Sequence, residues 1–428
     1  MNQPAPVAIL RSGHHGGLAI ARSLGRIGVP VYGVDGAHWE PAHSSRYCRG
    51  RAKLDIEHGP AEESLRRLLD LGERLGRPIL IPATDVGALW VADHAAVLQQ
   101  AFRFPAPGAE LVRQLCDKSR MEELARRSGV PTALSLVPRS KHDVDRFLET
   151  AAFPIMVKAT DAARFRERTG GTKFLVHSHS ELLELYSRAE DREKPNFMLQ
   201  EFIPGEDWMF NGYFDRNSRC LFGVTGKKIR RFPVNTGVTS LGICLHNDAV
   251  DKTTREFMRA IGYQGILDIG YRHDSRTGQY KVLDVNPRIG CTFRLFAATN
   301  GMDVARALYL DMTGQPVGSA QAAEGRKWLV EDFDLFSAWR SWRQGALGLR
   351  DWVRSLRGVQ ELACFSLDDP LPFLLMGFAD CSELCRWLRC RLQVRAAIAS
   401  TSPKAQLDGL TNGNTPVGEN RSVPGGSL

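Results

Sequence analysis

Residues 281–290 read KVLDVNPRIG and combine a strand pattern with an unusual polar face. Apolar residues alternate with Asp284, Asn286 and Arg288, and a proline and a glycine then end the strand. Because successive strand side chains point to opposite faces, these three polar groups share one face. Carboxylate and amide oxygens are hard ligands for Mg²⁺, which binds through one or two such groups plus phosphate oxygens. The stretch therefore predicts a metal–phosphate platform, with Arg288 placed for a γ-phosphate or an acyl phosphate.

Cationic residues elsewhere in the sequence lie at positions where they could bind a polyphosphate. Lys158 ends the apolar strand FPIMVKAT, where a lone ammonium is costly unless it meets an anion. Lys118 lies early in a helix, and the period of two places Lys228 and Arg230 on one face of a strand. These cations have no matching carboxylates nearby in sequence, so we expect them to bind phosphate groups.

The first part of the chain alternates strand-like and helix-like segments. The apolar strand VAIL at 7–10 leads into the turn RSGHHGG, an amphipathic helix and a second strand, VPVYGVD. This β-α-β-α pattern continues to about residue 112 and predicts a parallel sheet covered by helices. The turn lacks the G-x-G-x-x-G spacing of a dinucleotide site, which disfavours an NAD-dependent enzyme. Its histidines, His14 and His15, either contact substrate or are exposed loop residues.

Composition limits the partners of the protein. The chain has 428 residues, a net charge of +8 and a pI near 9.1, but its arginines are scattered, so we expect no nucleic-acid partner. No CxxC pair occurs, and Cys381, Cys385 and Cys390 match no common zinc spacing. The N-terminus lacks a signal-peptide pattern, and no apolar run is long enough to span a membrane. We therefore expect a cytoplasmic protein.

The C-terminal part has a different character. Residues 323–398 are predicted to be helical and are rich in Trp and Arg. Trp339, Trp342 and Trp352 with neighbouring arginines fit either a peripheral membrane-surface helix or a helix packed on the main body with a solvated arginine face. Residues 399–428 are short of apolar residues and rich in Ser, Gly, Pro and Asn, which predicts a disordered tail.

Motifs in a fixed order connect these features to a known family. They are DK at 117–118, the strand lysine Lys158, QEFIPGED at 200–207, GKKIRRFP at 226–233 and LDVNPR at 283–288. In this order and spacing, the chain resembles the ATP-grasp superfamily over roughly residues 7–320. Within it, the chain is most similar to bacterial carboxylate–amine ligases of the D-aspartate-ligase type.

The resemblance implies an α/β protein with the α+β ATP-grasp architecture. It divides the chain into a Rossmann-like pre-ATP-grasp domain at 1–112, an ATP-grasp domain at 113–322 with a lid at about 130–200 and a central antiparallel sheet, a C-terminal helical extension at 323–398, and the tail.

The resemblance also implies roles for individual residues. Lysines would contact the phosphates of ATP, Glu201 and the backbone of Ile203 would line adenine, and Asp207 would reach the ribose. The nucleotide-binding set is Lys118, Lys158, Gly170, Gly171, Gln200, Glu201, Ile203, Asp207 and Lys228. The metal set, for Mg²⁺ or Mn²⁺, is Asp284, Asn286 and Asp268, and the catalytic set is Arg288 and Arg230.

The chain departs from the family pattern at two places. The loop after Lys158 is usually dense in glycine, but here only Gly170 and Gly171 remain. The family also places a second metal-binding carboxylate at the position that Gly270 occupies in this chain. Asp268, two residues earlier on the same strand face, is the nearest substitute.

The resemblance implies an ATP- and Mg²⁺-dependent ligase that activates a carboxylate as an acylphosphate and joins it to an amine. Its partners would be a small-molecule carboxylate and an amine, with a homodimer as a further expectation. Two alternatives stay open: bicarbonate activation of the carbamoyl-phosphate-synthase or biotin-carboxylase kind, and an ATP-binding sensor without turnover, which Gly270 makes conceivable.

Overall fold

The computed structural model describes residues 4–36, 41–159, 162–189, 191, 195–234 and 237–376. The predicted tail, the last part of the predicted extension and the C-terminal cysteines lie outside these ranges. The described residues form three sheets with helices packed on them. In the described ranges, no helix is long and apolar enough to cross a membrane.

A parallel sheet forms the N-terminal layer. Its strands are β1 (Val7–Leu10), β2 (Val31–Asp35), β3 (Cys48–Lys53) and β4 (Ile79–Pro82), in the order β3-β2-β1-β4. Its helices are α1 (His15–Gly25), α2 (Ala61–Arg74), α3 (Asp85–Asp93), α4 (Ala95–Ala101) and α5 (Ala109–Cys116). This layer confirms the predicted β-α-β arrangement. The sequence pattern does not reveal β3, because this edge strand carries charged residues at its exposed positions.

A second, smaller sheet follows α6 (Lys118–Arg127). Its strands β5 (Ser135–Leu136), β6 (Ile155–Ala159), β7 (Lys173–Val176) and β8 (Phe197–Glu201) pair antiparallel in the order β5-β8-β6-β7. The helices α7 (Lys141–Leu148), α8 (Ala162–Thr169) and α9 (His179–Ala189) belong to this layer. Its apolar side chains form a cluster of their own, which includes Val157, Phe165 and Leu199. This small layer therefore has its own core.

The large central sheet contains the opening stretch. Its order is β13-β12-β9-β10-β11-β14-β15. The strands are β9 (Asp207–Phe214), β10 (Cys220–Phe232), β11 (Val238–Cys244), β12 (Gly265–His273), β13 (Tyr280–Asn286), β14 (Lys327–Leu329) and β15 (Val359–Leu362). The helices α10 (Asp248–Ala260) and α11 (Val304–Met312) pack against it. All pairings are antiparallel except that of β14 with β15, as the predicted central antiparallel sheet requires.

The described part of the extension contains more than helices. α12 (Glu331–Arg343) and α13 (Leu349–Leu356) lie between β14 and β15, and these two strands continue the central sheet. The buried Asp334 of α12 accepts a hydrogen bond from the indole nitrogen of Trp352 on α13 at 3.0 Å. The extension is therefore fixed to the central sheet through both strands and side chains.

A buried ion pair also fixes the segment after β15 to the N-terminal layer. Nε of Arg22 on α1 donates to the carboxylate of Asp369 at 2.9 Å, and both side chains are buried, with 5% and 2% exposed. The same carboxylate accepts from Oγ of Ser45 at 2.6 Å and from the backbone N–H of Arg46 at 3.0 Å. The Asp369 carboxylate thus accepts three hydrogen bonds, and a buried charge requires such partners.

Asp369→Ala should strongly destabilise the protein, because it leaves Arg22 buried without its carboxylate. We expect the free energy of unfolding to fall by about 3–5 kcal/mol in urea titrations followed by circular dichroism. The control is Asp70→Ala, which removes an exposed ion pair with Arg66 and should cost less than about 1 kcal/mol. Equal losses in the two variants would contradict the structural role of the buried pair.

Candidate active site

A cavity of about 730 Å³ lies where the small sheet meets the central sheet. Met156, Lys158 and Lys173 line it from the small sheet, and residues of β9, β10, β12 and β13 line it from the central sheet. Asp85 from the N-terminal layer and Phe333 from α12 complete the wall. The two antiparallel sheets, the helices of the N-terminal layer and the extension therefore contribute to one site.

Cations from three elements face the cavity. Lys118 begins α6, Lys158 lies on β6, and Lys173 lies directly opposite Lys158 on β7. Burial, with a smaller contribution from the positive charges of Lys173 and Lys118, lowers the pKa of Lys158 to about 8. A buried ammonium among like charges is stabilised by an anion, so this end of the cavity suits phosphate groups.

Oxygen ligands lie at the ends of β12 and β13. The register places Asp268 opposite Asn286 and Gly270 opposite Asp284. The amide nitrogen of Asn286 donates to Asp284 at 3.3 Å, which fixes these two side chains side by side. Burial raises the pKa of Asp268; Arg288 and Lys228 oppose the rise, and Asp284 adds to it. Asp268, Asp284 and Asn286 thus line one wall with oxygen donors that suit a hard cation.

Glycines make room for these side chains. A Cβ atom at Gly290 would lie 2.2 Å from a carboxylate oxygen of Asp268, so any other residue there would displace this carboxylate. A Cβ atom at Gly270 would meet no atom closer than Asp284, at 4.0 Å, so this position is open. In the described ranges, no group of three or more His, Cys, Asp or Glu residues has metal-binding geometry.

Arg288 is held beside these ligands by the N-terminal layer. Its Nε donates to Asp85 at 2.8 Å, and its Nη2 donates to Oδ1 of Asn286 at 3.1 Å. Its Nη1 lies 3.9 Å from the Asp268 carboxylate. Asp85 stands in the first turn of α3, directly after β4, so the end of the parallel sheet orients the guanidinium.

The strand end predicted for adenine and ribose lines the far side of the cavity. Gln200 donates to Glu122 at 2.8 Å, and Glu201 accepts from Lys281 at 2.6 Å and from Arg276 at 2.8 Å. The pKa of Glu201 is lowered. Burial alone would raise this pKa, but the hydrogen bonds from Lys281, Arg276 and a backbone N–H outweigh burial. The predicted residues are therefore at the cavity, but this carboxylate is tied to cations of the protein.

The next residues of this edge are also tied to protein cations. The carbonyl of Ile203 accepts from Nε of Arg272 at 2.9 Å. The Asp207 carboxylate is held by Arg272 at 2.6 Å and by Arg231 at 2.9 Å. A ligand that uses Asp207 therefore shares it with two arginines.

The structure corrects the prediction for Arg230. β10 is irregular between Lys228 and Arg231, so the period of two breaks and these two residues, not Arg230, line the cavity. Arg230 instead forms a bidentate ion pair with the buried Asp334, at 2.7 and 2.9 Å. It also donates to Ser355 at 2.6 Å. The guanidinium therefore holds the extension to the sheet.

The loop predicted to contain Gly170 and Gly171 is also different. Residues 162–169 form helix α8, and Gly170 follows it with φ +78°, a conformation that favours glycine. The hydroxyl of Thr169 donates to the carbonyl of Gly171 at 3.1 Å. Neither glycine lines the cavity. They form the C-terminal turn of a helix instead of a loop over phosphate groups.

Sequence reasoning missed several cavity residues. Lys173 escapes notice because only the β6–β7 register reveals that it faces Lys158. Phe333 comes from the extension, which no local pattern connects to the site. His15, left open above, lines the cavity with its ring 6.2 Å from Phe333 and 5.9 Å from Trp328. Burial and the neighbouring His14 lower the pKa of His15 to about 4, so its ring is neutral at pH 7.

Comparisons with known proteins bear on this arrangement. No family model matches the chain. D-aspartate ligase from Enterococcus faecium is 24% identical over 269 residues, which cover 59% of this chain and 64% of that protein. The chain thus spans less than two thirds of that relative, and smaller shares of the next curated relatives.

Solved structures match over more of the chain. N5-carboxyaminoimidazole synthetase from Staphylococcus aureus, complexed with ADP, has a TM-score of 0.58 at 15% identity and covers 76% of this chain and 81% of its own. The biotin carboxylase domain of 2-oxoglutarate carboxylase from Hydrogenobacter thermophilus has a TM-score of 0.57 at 15% identity, covering 75% and 72%. The chain has the ATP-grasp fold. The predicted ATP-grasp architecture is therefore confirmed.

The lowered pKa of Lys158 predicts pH-dependent anion binding at the ATP-grasp cavity. An anion stabilises the protonated ammonium, so binding of tripolyphosphate above about pH 8 should take up protons and weaken as the pH rises. Lys158→Met should lose this pH dependence together with about ten- to one-hundred-fold in affinity, the value of a charged hydrogen bond. Calorimetric titration at pH 7–9, in buffers of different ionisation enthalpy, measures both effects.

The control for Lys158 is Lys141→Met, at an exposed lysine in the first turn of α7. This variant should keep the affinity and the pH profile of the unaltered protein. An affinity that is flat between pH 7 and 9 in the unaltered protein would refute the assignment of Lys158 as the anion-binding cation.

Proposed function

We propose that this protein is an ATP- and Mg²⁺-dependent, ADP-forming ligase that joins a carboxylate to an amine. One observation carries the proposal: the buried Lys158 and three further lysines line a single cavity together with Asp284 and Asn286. Such an arrangement neutralises a polyphosphate and supplies oxygen ligands for its cation. The similarity to D-aspartate ligase and to an ADP-bound ATP-grasp structure supports this function.

The chain offers separate groups for each part of ATP. Lys118, Lys158 and Lys228 would neutralise the phosphate groups, together with Lys173, which only the structure reveals. The edge from Gln200 to Asp207 would line adenine and ribose. The four lysines line the same cavity as that edge, so a single bound nucleotide would contact both sets.

The donor set also fits Mg²⁺. Burial disfavours the charged form of Asp268, and a cation beside it would offset that cost. Asp284 and Asn286 add a carboxylate and an amide on the neighbouring strand. Bound Mg²⁺ would supply charge neutralisation on the phosphate oxygens. A solved structure of this fold carries MgADP in the biotin carboxylase domain from Hydrogenobacter thermophilus.

In the proposed reaction, an oxygen of the acid attacks the γ-phosphorus of ATP, which gives an acylphosphate and ADP. The amine then attacks the acyl carbon, and phosphate leaves. Arg288, oriented by Asp85, would position the carboxylate beside the γ-phosphate. Because such chemistry needs positioning and charge neutralisation, the site requires no nucleophilic side chain.

The same proposal includes the location, the oligomeric state and the substrates of the ligase. We place the ligase in the cytoplasm, where ATP is available, and propose a homodimer, since the biotin carboxylase domain of this fold is described as a dimer. The substrates would be small molecules that enter beside His15 and Phe333, which line the cavity near Arg288.

The reaction itself is the first test. Purified protein with ATP and Mg²⁺ should release phosphate when an acid and an amine are supplied together, in a panel of amino acids, D-amino acids and cell-wall precursors. Turnover that needs bicarbonate would support bicarbonate activation instead. Tight ATP binding without ADP formation across the whole panel would support the sensor.

Two variants test the proposed metal ligands in the ligase reaction. Asp284→Asn should lower turnover by a factor on the order of 100 or more, because it removes a charged ligand of the Mg²⁺ that would neutralise the phosphate oxygens, while circular dichroism shows an intact fold. Asp268→Asn should raise the Mg²⁺ concentration needed for half-maximal rate if Asp268 replaces the missing carboxylate. Full activity of Asp284→Asn would refute the proposed site.

The open position at Gly270 allows a gain of function. Gly270→Glu places a carboxylate opposite Asp284, where a Cβ atom meets nothing closer than 4.0 Å. We expect the Mg²⁺ concentration for half-maximal ATP turnover to fall several-fold, because a further carboxylate strengthens a hard-cation site. Gly270→Gln is the matched control without the charge. If the Mg²⁺ concentration for half-maximal turnover falls in both variants, or in neither, the carboxylate at this position does not contact the metal.

A further inference from the structure

The outer faces of α12 and α13 carry large apolar side chains that the fold leaves in solvent. Trp339 and Trp342 are 52% and 61% exposed, and Leu335 is 56% exposed. These residues follow one another at i, i+4 and i+7, so they form a stripe along one face of α12. The opposite face contains the buried Asp334, Ser337, Ala338 and Ser341.

α13 carries further apolar side chains that are exposed. None of its residues is buried, and Leu349 and Val353, four residues apart, are 66% and 50% exposed. The hydrogen bond from Trp352 to the buried Asp334 joins α13 to α12, and the candidate surface is defined as the exposed residues of these two helices together. We name it the Trp–Arg surface. Its apolar residues are Leu335, Phe336, Trp339, Trp342, Leu349 and Val353.

The Trp–Arg surface also carries more exposed basic than acidic residues. Its exposed arginines are Arg340, Arg343, Arg350, Arg354 and Arg357. The guanidinium of Arg343 lies 5.2 Å from the ring centre of Trp339. Two acidic residues of these helices are engaged elsewhere: Asp334 is buried with Arg230, and Glu331 accepts from the backbone N–H groups of Cys364 and Phe365. The exposed Asp351 pairs with Arg354, which leaves the other four arginines to set the charge of the surface.

We propose that the Trp–Arg surface docks on an anionic lipid bilayer. Tryptophan next to arginine suits the interface, because the indole ring enters the headgroup region while the guanidinium meets phosphate. A second copy of the chain is disfavoured as the occupant, since a like surface would bring the arginines of both copies together. The first turn of α12 also carries Phe333, which lines the cavity, so the docked helix reaches the substrate end of the active site.

The proposal is independent of the catalytic function and is tested without turnover. The full chain is sedimented with vesicles of phosphatidylcholine alone or with 30% phosphatidylglycerol, roughly the range of anionic membranes. We expect binding to the anionic vesicles at least tenfold tighter than to the neutral ones, and a steep loss of binding in high salt.

Two variants separate the apolar and the basic contributions. The apolar variant combines Trp339→Ser with Trp342→Ser, and the charge variant combines Arg340→Glu, Arg343→Glu and Arg350→Glu. Each variant should bind anionic vesicles at least tenfold more weakly than the unaltered protein, with an unchanged melting temperature. The control reverses exposed arginines of α2, Arg66→Glu with Arg67→Glu, and should change binding less than twofold.

Several results would overturn the proposal. These are absence of binding to anionic vesicles, binding that the surface variants do not weaken, and equal binding to both vesicle types. Light scattering provides a further test: a concentration-dependent dimer that the tryptophan variant abolishes would assign this surface to a second copy of the chain.

Discussion

The antiparallel pairing of β12 with β13 is the constraint on which the site depends. Its register sets Asp268 opposite Asn286 and Gly270 opposite Asp284, and thereby decides which polar groups share a wall. A shift by one residue would turn each of these side chains to the other face of the sheet. β9 then pairs with β12 and brings Asp207 to the same cavity. The position of the proposed metal ligands is thus a consequence of strand pairing.

The burial of charged groups is the second constraint on the site. Lys158 is desolvated among other lysines, and Asp268 is desolvated near Asp284, so each end of the cavity carries a cost that a bound ligand would offset. The structure around the site contains buried ion pairs. Arg230 with Asp334 and Arg22 with Asp369 are buried pairs whose hydrogen bonds are satisfied. They join the extension to the sheets that hold the site.

The sequence predicted which residues line the cavity better than it predicted their contacts. Asp284, Asn286, Lys118, Lys158 and Lys228 all line the cavity, as the motifs indicated. Arg230 does not, because the irregularity in β10 breaks the alternation that the prediction assumed. Gly170 and Gly171 do not, because an arginine-rich segment that reads as a polar loop forms a helix. Local patterns contain no information on such breaks.

By itself, the sequence determined the residue types of the site and the order of the elements. Strand alternation placed Asp284 and Asn286 on one face, and the order of the motifs pointed to the ATP-grasp fold. Only the tertiary structure decided that Lys173 faces Lys158, that Asp85 orients Arg288, and that the extension supplies Phe333 to the cavity. These contacts join residues of different sheets. Their formation depends on how the layers pack, and the period of a single helix or strand does not encode that packing.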